Sequence, residues 1–311
     1  MIPNNSMVIA RLGFAPDVLQ GETVVVTGAG GGIGYETARA LLWLGANVVI
    51  AEINEQTGKQ AVQTLGGEFD EKHLLFVHTN VGDEVSVQNL YDESVHRFGK
   101  VDAVINNATI AVLGAVKDLP IEKWDDSYRV NLRGPVLMAR SFLPGMLGRN
   151  HGVFVCVSST GTAFLGGYET FKAAQVHLAN TLEAEMDGTG VVAFTIGPGL
   201  VPTDTATKAV AQLAPLMGMT VDEFFVLNKN ALLSIEEAGA GFAASIVFAE
   251  KFRGQEISSM QALKAADIQF GAVESEGSSS VMSPEHRAQA RHLCERVITT
   301  LEEQSDGWKR R

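Results

Sequence analysis

Cysteine is nearly missing from this chain: its 311 residues include two, Cys156 and Cys294. Two thiols so far apart supply neither a disulfide framework nor a zinc site, so the fold must rest on its core and no metal is expected. Basic charge is also in short supply. Lys and Arg number 24 against 36 Asp and Glu, a net charge of −12. Nucleic acid is held by clustered Lys and Arg, and this balance argues against it as a main partner. The one dense basic cluster, Lys309, Arg310 and Arg311, reads as a solvated tail. No apolar run is long enough to span a membrane, and the N-terminus lacks the basic stretch and apolar run of a signal peptide. A reducing cytoplasm is the expected location. What remains is an ordinary globular composition, 46% hydrophobic and 19% charged, in a chain long enough to bury a large core.

Residues 1–18 show no strong periodicity and read as a surface leader. From Thr23 the pattern becomes regular. Short β-rich runs alternate with stretches of helical period: TVVVT at 23–27, NVVIA at 47–51, LLFVHT at 74–79, VDAVIN at 101–106, GVFVCVS at 152–158 and VVAFTI at 191–196. The runs are apolar on both faces, as strands covered by helices on both sides should be. One intervening helix begins near Gly32 and ends at Leu44–Gly45, another is capped by Asn54, and a third starts at Asp83 and stops at Phe98–Gly99. Repeated βα units predict an α/β fold, a doubly wound parallel sheet of Rossmann type in one domain spanning 19–263. A last strand is expected at 254–260, after a helix through Ile235–Phe248. Two segments break the rhythm. Residues 203–232 carry Met217, Met219, Phe224, Phe225 and Leu227, while 264–311 form an extension whose one helix opens at Ser283–Pro284 and runs to about Glu303.

The run TGAGGGIG at 27–34 sits between the first strand and the first helix. A helix N-terminus there offers unpaired N–H groups and a positive dipole end to a pyrophosphate. Gly28 permits the tight turn, and Gly32 and Gly34, flanking Ile33, lack the Cβ that would block close approach. The run satisfies both TGxxxGxG and TGxxGxxG. Glu52 ends the second strand, where a carboxylate can accept from adenosine ribose hydroxyls and repel a 2′-phosphate. With no Arg or Lys in the turn, NAD is expected over NADP.

Tyr168 and Lys172 (YETFK) lie one helical turn apart on one face. A phenol titrates near ~10, and a neighbouring ammonium brings it toward useful acid–base work on an alcohol. The pair follows a strand ending in Ser158–Ser159, and the chain also carries NNA at 106–108 and VNLRG at 130–134. In this ordered set, over about residues 19–262, the sequence resembles the short, single-domain branch of the short-chain dehydrogenase/reductase family.

The resemblance implies roles. Tyr168 would be the general acid/base, Lys172 would lower its pKa and hold the nicotinamide ribose, and a serine at 159, or its neighbour 158, would orient the carbonyl. Asn131 would complete a proton relay through a water. Asn106, Asn107 and Ala108 would pass beneath the cofactor, Asn80 and Val81 would meet the adenine, and Pro198, Gly199 and Thr203 would line the nicotinamide end. The pattern departs at Thr109 in place of a glycine, at Asn80 in place of an aspartate, and in a Ser159–Tyr168 segment shorter than the family's. The implied enzyme is an NAD-dependent dehydrogenase and a homodimer or homotetramer. Its expected substrate is a neutral, fairly apolar secondary alcohol or ketone, because 203–232 falls where the family places a substrate loop and holds no Arg cluster. The competing readings are a non-catalytic NAD-binding regulator or scaffold and a nucleotide-sugar epimerase or dehydratase.

Overall fold

A computed structural model describes residues 6–159, 165–216, 218–229 and 232–270. Seven strands form one parallel sheet: β1 (Thr23–Thr27), β2 (Asn47–Glu52), β3 (Leu74–His78), β4 (Ala103–Asn106), β5 (Gly152–Val157), β6 (Val191–Gly197) and β7 (Glu256–Ser258). Their order is β3-β2-β1-β4-β5-β6-β7. The chain therefore reverses its direction of growth between β1 and β4, and the crevice at the strands' carboxyl ends opens there.

The helices are α1 (Gly32–Trp43), α2 (Glu55–Glu68), α3 (Glu84–Phe98), α4 (Ile121–Tyr128), α5 (Gly134–Arg149), α6 (Gly166–Glu185), α7 (Asp204–Leu216), α8 (Val221–Leu227), α9 (Ile235–Val247), α10 (Ala249–Phe252) and α11 (Ser259–Phe270), with a π turn at Arg129–Arg133. The expected starts and stops are visible in the bonds. Asn54 accepts from the N–H groups of Gln56 and Thr57, Asp83 accepts from Ser86, and Gly99 closes α3 at φ 80°. Alternate strand residues feed two cores. Val24, Val26, Val48, Ile50 and Phe194 pack on one face with Leu41 of α1 and Phe242 of α9; Val25, Val49, Val104 and Phe154 pack on the other with Leu90 of α3 and Phe142 of α5. Each such buried side chain contributes about 1.5–3 kcal/mol, which is why both strand faces had to be apolar. Gly239 lets α9 lie directly on α1, where a Cβ would come within 2.6 Å of the Glu36 backbone. No helix among the described residues is long and apolar enough to cross a membrane.

The leader differs from expectation. Met7, Ile9 and Phe14 are buried in the first core, the Phe14 and Phe248 rings lie 5.5 Å apart, and the Val8 N–H donates to Glu236 Oε1 at 2.9 Å. Its apolar residues follow no helix or strand period because they surround a single 3₁₀ turn, Ile9–Leu12. The last strand is shorter than expected. Ser258 and Gln261 exchange hydrogen bonds, Gln261 N–H to Ser258 Oγ at 3.2 Å and Ser258 N–H to Gln261 Oε1 at 2.7 Å. This reciprocal cap starts α11, which continues to Phe270, past residue 263 where the domain was expected to end. The helix expected at 283–303, and Cys294, lie outside the described residues.

At the amino ends of the strands, buried Asp102 accepts from the Thr23 N–H at 2.9 Å and pairs with Lys100 at 3.1 Å and Arg149 at 3.6 Å. Glu22, Asp102 and His151 offer ligand atoms within 4.8 Å of one another, but the positive charge here comes from the Lys and Arg. Met1–Ala209 with Asn228–Gly271 form one compact unit, which holds the sheet; Val210–Leu227 belong to a second. In the second, the Phe224 and Phe225 rings meet edge to face at 5.9 Å.

Candidate active site

Gly28 leaves β1 at φ +65°, and a Cβ on it would stand 2.9 Å from the Ala108 Cα. Asn107 Nδ2 donates to the carbonyls of Thr27 (2.9 Å) and Gly28 (3.1 Å), and the Ala108 N–H donates to Thr27 Oγ1 at 3.0 Å. Asn106 is turned into the sheet, with Nδ2 on the Val155 carbonyl. The NNA segment thus fixes the glycine turn from below. Gly34 is the tightest point, since a Cβ there would meet the Gly28 carbonyl at 2.4 Å. Above the turn there is room: nothing lies within 4 Å of a Cβ at Gly31, and one at Gly32 meets only the Thr203 methyl at 3.8 Å. No side chain caps α1, so its first N–H groups are open to an anion.

Glu52, half-buried at the end of β2, reaches back over this turn. One carboxylate oxygen accepts from the Gly30 N–H at 3.2 Å and the other from the Asn54 N–H at 3.0 Å. Asn80 Oδ1 accepts from the Gly82 N–H, shaping the loop after β3, and Val81 packs beside Gly134. Pro198 and Gly199 follow β6, and Thr203 caps the start of α7 by accepting from the Ala206 N–H. Apart from Tyr168 and Lys172 on α6, the expected cofactor residues therefore lie in the segments that follow the carboxyl ends of the strands. Carboxylate, open glycine backbone and uncapped helix end are the donor and acceptor set that a dinucleotide requires.

On the same rim, Ser159 follows β5 and hydrogen-bonds the Tyr168 side chain. Ser158 does not join them; its hydroxyl is buried without a hydrogen-bond partner among the described residues. Burial raises Tyr168 above the usual phenol value, the Ser159 bond pulls it down, and the Glu169 charge adds to the rise. Lys172 is fully buried, donates from Nζ to the Val157 carbonyl at 2.8 Å, and sits 5.9 Å from the centre of the Tyr168 ring. Burial brings its ammonium down to about 8, against smaller opposing effects of Cys156 and Glu169. The fold thus brings Lys172 beside Tyr168, on the shared helical face that the spacing of the pair implies.

Asn131 occupies the π turn and is completely buried. Its Oδ1 accepts from Thr109 Oγ1 (2.9 Å) and the Ile110 N–H (3.0 Å), and its Nδ2 donates to the Ile110 carbonyl (2.9 Å) and Ser127 Oγ (3.0 Å). Ser127 in turn donates to the Gly167 carbonyl at 2.7 Å, one residue before Tyr168. Sequence reasoning missed Thr109, Ser127 and Gln175 as members of this network. Gln175 was findable: it is the polar residue three places after Lys172 on the same helical face.

A model of the short chain dehydrogenase family matches residues 22–214. The chain belongs to the short-chain dehydrogenase/reductase family. It is similar to an uncharacterized oxidoreductase of Thermotoga maritima, 33% identical over 64% of this chain and 78% of the relative. An uncharacterized oxidoreductase of Staphylococcus aureus is 32% identical over 62% of this chain and 82% of its own length. Levodione reductase superposes with a TM-score of 0.72 at 23% identity, covering 78% of this chain and 98% of its own. Xylitol dehydrogenase, solved with NAD+, superposes at 0.70 with 21% identity over 77% and 98%. At those identities the structures show the fold alone. As a member of this family the chain is an oxidoreductase that binds a nicotinamide cofactor and acts on small molecules.

Proposed function

We propose that this short-chain dehydrogenase/reductase transfers hydride between NAD and a neutral, fairly apolar secondary alcohol or ketone. The observation that carries the reading is the Ser159–Tyr168 hydrogen bond beside buried Lys172, on the same rim as the glycine turn. The preference for NAD rests on Glu52, whose carboxylate lies over the turn where a 2′-phosphate would bring like charge. The substrate class rests on composition, since 203–232 holds Met and Phe but no Arg to grip a phosphate or carboxylate.

When bound, the nicotinamide supplies or accepts the hydride; the chain supplies position and protons. Ser159 holds the substrate oxygen toward Tyr168. The Tyr168 hydroxyl gives that oxygen a proton in ketone reduction and removes it in alcohol oxidation. Held protonated by burial, Tyr168 is ready as the acid at neutral pH, and oxidation calls for higher pH. Lys172 stabilises the charge left on Tyr168 after the proton moves.

Reduced-nicotinamide absorbance across a panel of secondary alcohols and ketones tests this. Turnover in wild type that falls about 10²–10⁴-fold in Tyr168→Phe is expected. Cofactor binding without turnover across a broad panel, or equal rates in both proteins, counts against it.

A further inference from the structure

Gln175 is fully buried, yet half of its carboxamide goes unused. Nε2 donates to the Asn131 main-chain carbonyl at 2.5 Å. Oε1 is closed to solvent and has no hydrogen-bond partner among the described residues. A buried amide oxygen left unpaired is costly, and one that persists beside a site is a place where a donor belongs.

Its position narrows the donor. Gln175 lies one turn beyond Lys172 on the same face of α6. The Lys172 ammonium has three N–H bonds and gives one to Val157. The other end of Gln175 is equally specific. Both side-chain atoms of Asn131 are saturated by Thr109, Ile110 and Ser127, so its main-chain carbonyl is the one polar group it has left for the site. A π turn shifts carbonyls out of the ordinary helical ladder, and Gln175 takes hold of this one.

We propose that Gln175 is a positioning residue for the Tyr168–Lys172 pair: Nε2 fixes the Asn131 carbonyl, while Oε1 accepts from the Lys172 ammonium through one buried water and keeps it charged. The proposal rests on the reading of that pair given above. Lys172 is sensitive to such a contact because burial alone brings it to about 8. The other titratable groups around it are Cys156 from β5 and Tyr168 and Glu169 from its own helix. The charges of the π turn face elsewhere, with Arg133 on the Gly82 carbonyl and Arg129 packed on Gly82 and paired with Asp126 of α4.

Gln175→Met keeps length and volume and removes both polar atoms. Thermal unfolding of wild type, Gln175→Met, Lys172→Met and the double variant, at about pH 7 and about pH 10, needs no turnover and stands apart from the assignment of activity. Gln175→Met should lower Tm by about 4 °C or more near pH 7 and by less than half as much near pH 10, where Lys172 is neutral. In the Lys172→Met background that pH dependence should vanish. Gln175→Glu, which retains the shape, should move the rising part of the Tm–pH curve to higher pH. In the active enzyme Gln175→Met should move the alkaline limb of kcat about half a unit or more toward lower pH, with cofactor Kd within about twofold. Equal Tm losses at both pH values, a pH dependence that survives loss of Lys172, or superimposable kcat profiles would overturn the proposal and leave Gln175 a packing residue. Absence of turnover in every protein would tell against the dehydrogenase reading and leave the unfolding experiment to decide this one.

Discussion

Ser159 and Tyr168 are joined by a hydrogen bond that opposes the effect of burial on the tyrosine hydroxyl. Losing it should move Tyr168 further above the ordinary phenol range. Ser159→Ala should therefore cut kcat by about 10²-fold and shift the rise of alcohol oxidation to higher pH. Ser158→Ala, which removes a buried hydroxyl with no hydrogen-bond partner among the described residues, should leave that profile in place. Paired pH–rate profiles check both serines at once, and the reverse ranking would reassign the site.

Lys172 gives a sign that can be worked out. Its folded value of about 8 lies below the ordinary 10.5, so between those values the unfolded chain binds more protons. Stability should rise with pH through that window, and below it the full cost of burying charge is present. The difference is on the order of 3 kcal/mol. Lys172→Met should stabilise the fold near pH 7, with a gain that fades toward pH 10 while activity is lost. Denaturant melts at both pH values measure it.

Glu52 bridges the N–H groups of Gly30 and Asn54 at the lip of the turn. Glu52→Ala should weaken NAD binding about tenfold, the scale of one lost charged hydrogen bond, and narrow the gap between NAD and NADP. Cofactor titration by fluorescence reads both constants. An unchanged NAD Kd would remove the basis for the preference.

The glycines of the turn are not equivalent. Gly34→Ala places a methyl 2.4 Å from the Gly28 carbonyl and 2.6 Å from Asn107 Nδ2, and should cost about 1–3 kcal/mol or more with loss of cofactor binding. Gly31→Ala meets nothing within 4 Å at φ −175°, an extended conformation open to any residue. It should fold as wild type. Comparing the two melting curves separates packing from backbone freedom.

Phe14→Ala tests the leader. Removing a buried ring that lies against Phe248 should cost about 3–5 kcal/mol, the range for large-to-small core changes. A change within about half a kcal/mol would mean that the segment is not part of the core in solution.

Much of this architecture was legible in the sequence because its rules are local. The run TVVVT matched β1 residue for residue, and Asn54, Asp83 and Gly99 bounded their helices as capping chemistry requires. The glycine turn and the Tyr168–Lys172 spacing were equally readable. What escaped depends on contacts between distant residues. Met7 and Phe14 belong to the core through a turn that carries no period. The π turn at Asn131 leaves no mark in hydrophobic spacing, so its bonds to Thr109 and Ser127 could not be foreseen. Ser258–Gln261 had the spacing of a helix start, but its first residue, Ser258, lay inside the run at 254–260 read as strand.

Asp102 and its partners Thr23, Lys100 and Arg149 brace the sheet at the end opposite the glycine turn, Ser159 and Tyr168. That separation makes the molecule tolerant of change. The rim can exchange residues and acquire new selectivity without loosening the brace, and the brace can be reinforced without touching the chemistry. A library confined to the rim loops should thus yield folded proteins of altered preference far more often than one scattered along the chain.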